Sequence, residues 1–109
     1  MEIKLIGTEN LHCKEFPNDL PLYMLCGDTA ALEKRENQIG KWSGTKPPPE
    51  KNSRVNAVIN EFGTGTVLDY FVREGWLGVK VLVDNPPAWS IKQNGNLKVF
   101  TFFGTELEY

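Results

Sequence analysis

The chain has 109 residues, 40% of them hydrophobic, and twelve Lys and Arg stand against fourteen Asp and Glu for a net charge of −2. At roughly 150 residues per domain this length fits one domain and excludes two large ones, and the hydrophobic share excludes a disordered chain. The near balance of charge excludes a protein that coats nucleic acid by bulk attraction, leaving only site-specific contacts open.

No run approaches the roughly 20 apolar residues of a membrane-spanning helix, and Met1-Glu2-Ile3-Lys4-Leu5 lacks the basic and apolar regions of a secretion signal. The expectation is a soluble, cytoplasmic protein with no membrane partner. Cys13 and Cys26 are too few for the disulfide framework of a small secreted fold, so reduced thiols are expected.

In chain order, Glu2–Ile6 and Leu22–Cys26 read as short strands, and Asp28 can cap a helix running to about Gln38. Residues 44–52 contain Pro47-Pro48-Pro49. Proline lacks an N–H and holds φ near −65°, so neither a helix nor a central strand passes through, and the segment reads as an extended connector. Beyond it lie nine of the twelve aromatics, with a matching excess of β-branched residues, so the second half is built for strands.

Arg54–Ile59 alternates, with Val55, Ala57 and Ile59 on one face, and Asn60–Gly65 supplies a turn. Thr66–Arg73 is apolar on both faces, as a strand inside a sheet would be, and Glu74-Gly75 reverses the chain. Leu77, Val79, Val81 and Val83 then share one side of the clearest strand, with Gly78, Lys80 and Leu82 on the other. Asp84-Asn85-Pro86-Pro87 breaks the ladder and Trp89–Lys92 reads as a brief return to it. Asn94-Gly95 offers a type I′ hairpin turn, and Leu97–Phe103 is the next strand, punctuated by Gly104 before Thr105–Glu108. Gly65, at a turn exit, and Gly78, at a close strand contact, are expected to tolerate little beyond hydrogen.

Short strands joined by tight turns hide their edges best by curling into a small barrel. The fold expected is mainly β: one domain over 1–109, with the barrel at 53–109 holding the cooperative core. Strands and a helix in 1–43 would pack on it through the connector at 44–52.

The run Arg54-Val55, Gly63-Thr64-Gly65-Thr66-Val67, Gly75-Trp76-Leu77-Gly78-Val79-Lys80-Val81 and Val99–Leu107 resembles the small SH3-like (Src-homology-3-like) barrels, among them the CAP-Gly, KOW and Tudor types. A Gly-x-Gly-x-Val turn opening the second strand and a Gly-Val pair entering the third carry the resemblance, over about half the chain. Lys92-Gln93-Asn94-Gly95 matches only part of the CAP-Gly signature, so recognition of tubulin-type tails does not carry over. The resemblance implies a binding module whose loops and aromatics contact a ligand at one side.

The residues that could carry chemistry are few. His12, the one histidine, is the chain neighbour of Cys13, and adjacent side chains in an extended segment point apart, against a nucleophile–base pair. His12, Cys13 and Cys26 offer a metal three ligands and no Cys-x-x-Cys pair. Gly63-Thr64-Gly65 runs into a strand, where a phosphate cradle needs a helix N-terminus. No catalytic, metal or cofactor site is expected.

The aromatics say more. Trp89 follows Pro86-Pro87, which stiffen its loop, and with Pro87, Trp76, Tyr70 and Phe100 it forms the expected binding set. The competing reading is that these rings fill the barrel, a role assigned first to Phe71 and Phe102. The function expected is non-catalytic capture of a protein or peptide partner, as an accessory factor of a phage or other mobile element would perform. The alternative is a nucleic-acid-binding barrel using Arg54, Arg73, Lys80, Lys92 and Lys98.

Overall fold

The computed structural model describes residues 2–8, 20–27 and 38–109, and it is mainly β. The strands are β1 (Glu2–Thr8), β2 (Pro21–Cys26), β3 (Ile39–Lys41), β4 (Arg54–Ala57), β5 (Gly63–Arg73), β6 (Trp76–Val83), β7 (Val99–Phe103) and β8 (Leu107–Glu108), with one helix, α1 (Ala88–Asn94). The helix expected from Asp28, like His12 and Cys13, lies outside the described residues.

All eight strands belong to one sheet of order β1-β2-β3-β6-β5-β4-β8, with β7 paired to β6. Glu74 and Gly75 both have positive φ (52° and 81°), as a two-residue I′ turn requires. That turn sets the β5–β6 register: Arg73 faces Trp76, Phe71 faces Gly78 and Tyr70 faces Val79. Because side chains alternate, Leu77, Val79, Val81 and Val83 all fall on the core face and are fully buried. Each contributes about 1.5–3 kcal/mol relative to exposure.

Two expectations need correction. Trp89–Lys92 does not rejoin the ladder but lies in α1, where the N–H groups of Ser90 and Ile91 both donate to the Pro87 carbonyl. Two apolar residues spaced by two are too short a pattern to tell strand from helix, and Pro87 is preorganised for a helix start. Asn94-Gly95 is accordingly not a hairpin turn. Gly95, at φ 63°, ends the helix by donating its N–H to the Ile91 carbonyl, and β7 begins only at Val99.

The core also crosses the proline connector. Tyr23, Leu25 and Trp42 are buried with Val55, Val67, Val81 and Phe102 in one cluster, so the core is not confined to 53–109. β3, which the sequence reading missed, makes the link: it pairs antiparallel to β2 and parallel to β6 at Lys41–Trp76, and the Lys41 N–H donates to the Gly75 carbonyl at 2.8 Å. A three-residue strand gives no periodic signal of its own.

The connector itself is tied down. A proline run can only accept hydrogen bonds, and here side-chain donors supply them. Trp42 Nε1 donates to the Lys46 carbonyl at 2.7 Å, and Tyr70 donates its hydroxyl proton to the Pro49 carbonyl at 2.8 Å. The Tyr109 hydroxyl lies 2.9 Å and 2.6 Å from the Lys46 and Pro47 carbonyl oxygens. Burial raises the pKa of Tyr70 and Tyr109, which keeps both phenols protonated as donors.

Candidate binding surface

The face of the sheet opposite the core carries Trp76, Gly78, Lys80 and Leu82 from β6. The register adds Arg73, Phe71 and Asp69 from β5 and Phe103, Thr101 and Val99 from β7. Gly78 sits between Phe71 and Phe103, and with no side chain in the way the two rings meet over the strand, 5.6 Å apart and edge to face. A methyl group at Gly78 would fall 2.3 Å from the tip of the Phe71 ring. Trp76 follows at the turn, 38% exposed.

Cations flank these rings. The Arg73 guanidinium lies 5.0 Å from the Phe71 ring centre, and the Lys41 ammonium lies 5.6 Å from that of Trp76. Lys80 is exposed in the next row, opposite Asp69. Asp69 in turn faces the Lys51 ammonium at 3.6 Å. At the far end of the face Arg54 is forked onto Asp84, with one contact at 3.0 Å, and also reaches Thr66. This pairing holds the Asp84 carboxyl below its ordinary pKa, through the Arg54 hydrogen bond above all.

The five residues expected to bind do not form one surface. Tyr70 is 5% exposed, with its hydroxyl turned to the connector, and stands in the core. Trp89, Pro87 and Phe100 gather at another place through a ring that the sequence reading passed over. Phe62 is buried 5.4 Å from Trp89 and 4.6 Å from Phe100. Trp89 is 39% exposed, yet its indole N–H is spent on the Asn60 carbonyl at 3.0 Å, so it clips α1 to the loop before β5. Trp76 stands apart, because Phe100 faces Val81, five residues or roughly 17 Å along β6.

Phe71, assigned beforehand to the core, is instead on the outward face beside Trp76, whereas Phe102 is buried as expected. The missed residues of this patch are Phe71, Phe103 and Lys41. A signal for the first was present, since a two-residue turn at Glu74-Gly75 places Phe71 opposite Gly78 by counting.

A separate cleft of about 480 Å³ opens between residues 43–46 and 104–109. Two of its polar side chains are engaged internally: Ser43 Oγ accepts from the Thr105 N–H, and Lys46 Nζ donates to the Tyr109 carbonyl. Cys26 is half-buried on β2. Among the described residues no cluster of His, Cys, Asp and Glu could hold a metal ion, and no helix is long and apolar enough to cross a membrane. No family model, curated protein or solved structure matches the chain.

Proposed function

We propose that this protein is a non-catalytic binding module built on a small SH3-like barrel, and that it holds a protein partner on the outward face around Trp76. The barrel reading is supported by a run of pairings in the order β8-β4-β5-β6-β7, whose two end strands are consecutive in the chain. A 3-10 turn at Gly104–Glu106 then joins β7 to β8. The observation that carries the binding reading is the Trp76–Phe71–Phe103 group, in which large rings lie exposed or half-exposed outside the core. Rings of this kind, fixed by a sheet, lose little entropy on contact and suit a binding hot spot.

A nucleic-acid strand is the second reading, favoured by Lys41, Arg73 and Lys80 beside the rings. The test is capture from native cells by the full chain, with and without nuclease, alongside Trp76→Ala and Trp89→Ala. Protein capture that resists nuclease, is lost in Trp76→Ala and survives in Trp89→Ala is the expected result. Nuclease-sensitive capture would establish the second reading. Loss in Trp89→Ala alone, at an unchanged melting temperature, would move the site to α1.

A further inference from the structure

We infer that Asn94-Gly95 is a deamidation site that the fold keeps latent, and that opening of the last turn of α1 commits it to an irreversible change. The inference is independent of what the outward face binds. Asn94-Gly95 is the one Asn-Gly pair in the chain, and Gly95 has no side chain to shield its nitrogen. In an open chain that nitrogen attacks the carbonyl carbon of the Asn94 side chain. The new N–C bond closes a five-membered succinimide ring, the bond from the same carbon to the amide nitrogen breaks, and ammonia leaves carrying the Gly95 proton. Water then opens the ring at either carbonyl, leaving aspartate or isoaspartate at position 94.

The folded chain holds this reaction off, although both residues are exposed to water. The Gly95 N–H donates to the Ile91 carbonyl at 2.9 Å, so the attacking atom is committed. The Asn94 amide donates through Nδ2 to Ser90 Oγ at 3.2 Å, and Ser90 is fully buried, so the attacked group is anchored back along the helix. Ring closure also needs the Asn94 Cβ and the Gly95 nitrogen nearly eclipsed about the Cα–C bond. Asn94 is the last residue of α1, and a helical ψ of about −42° holds the two far from that arrangement.

These restraints are lost together when the last turn opens, and α1 is not a helix that stands by itself. Its seven residues are fewer than an isolated helix needs, and no side chain caps its start. It is held by tertiary contacts: buried Ser90, the Trp89 indole N–H on the Asn60 carbonyl at 3.0 Å, and the edge-to-face contact of Trp89 with Phe62. This clip therefore sets how often the pair is open, as local opening does for amide exchange. Isoaspartate carries the backbone through its Cβ, by an extra atom, which takes the Gly95 N–H out of register with Ile91 and prevents the cap from re-forming. Either product also puts a carboxylate at the helix C-terminus, where the macrodipole disfavours it.

The test incubates the full chain at mildly alkaline pH, native and in guanidinium chloride, and follows conversion of Asn94 by peptide mass spectrometry. Trp89→Phe, which keeps a ring and drops the indole N–H, and Ser90→Ala, which drops the hydroxyl, are followed alongside. Amide hydrogen exchange is read at Gly95 and at buried Val79 and Val81. Native conversion is expected to be slower than conversion in denaturant by about tenfold or more. Both variants should convert faster than wild type when native and at the same rate in denaturant, with exchange at Gly95 rising in step while Val79 and Val81 stay protected. Acceleration in one variant alone would retain the inference and assign the gate to that contact. Equal wild-type rates in native and denaturing buffer would overturn it, and so would protection that neither variant weakens. A rise in exchange at Val79 and Val81 as large as at Gly95 would place the gate in global unfolding and overturn it as well.

Discussion

An alanine methyl at Gly65 would lie 2.6 Å from the Leu82 carbonyl oxygen and 3.1 Å from its carbon, which are backbone atoms held in the β5–β6 ladder. At Gly78 the nearest atoms belong instead to the tip of the half-exposed Phe71 ring, which can swing away. The two glycines should therefore differ. Gly65→Ala is expected to cost about 1–3 kcal/mol through overpacking, and Gly78→Ala less, while separating Phe71 from Phe103. Chemical denaturation of both variants, with ring proton shifts for Phe71, checks the order; a larger loss at Gly78 would mean that the Phe71 ring is locked. Tyr70→Phe gives a second check at this scale. It leaves the carbonyl of buried Pro49 without its donor, at a cost of about 1–3 kcal/mol, read as a fall in melting temperature.

Between elements, Arg54 and Asp84 clip the start of β4 to the end of β6, with Thr64 adding a hydroxyl to the same carboxylate. Asp84 has its pKa lowered in the fold, so the unfolded chain, at about 3.9, takes up its proton first as pH falls. The sign follows: the pair's contribution is complete above the ordinary carboxylate range and is lost as pH drops through the folded pKa below it. The difference in melting temperature between wild type and Asp84→Asn should be constant near neutrality and shrink toward zero in acid. Added salt should narrow it as well, since both groups are exposed. A gap that persists at low pH would assign the effect of the substitution to packing.

For the whole molecule, the decisive residue is Trp42. It stands just after β3, is fully buried, and bonds to the connector that leads into β4. Trp42→Ala is expected to cost about 3–5 kcal/mol, a large part of the roughly 5–15 kcal/mol by which domains are stable. A chain beginning near Lys51 would lose Trp42, Tyr23 and Leu25 together, and should show no cooperative melting by circular dichroism. Retention of a strand spectrum and a sharp transition would return the core to residues 53–109 alone.

Sequence by itself determined the elements whose information is local. Leu77, Val79, Val81 and Val83 alternate over a full strand, Glu74-Gly75 is a turn by its chemistry, and Pro47-Pro48-Pro49 excludes regular structure; all three stand where they were expected. Local pattern was insufficient at Trp89–Lys92, where two apolar residues fit a strand or a helix, and at Ile39–Lys41, where three residues carry no period. The candidate surface was legible only in part: Trp76 was named, whereas Phe71 was given to the core and Tyr70 to the surface, the reverse of what the structure has. Strand parity does not carry through β5, where the register shifts between Val67 and Asp69 and puts Val67 and Tyr70 on one buried face, and parity alone does not say which face is covered. That depends on what packs against each face, and Trp42, Pro49 and Phe102 cover the Tyr70 side. Only the tertiary structure could decide it, because burial is a property of neighbours brought together from distant parts of the chain.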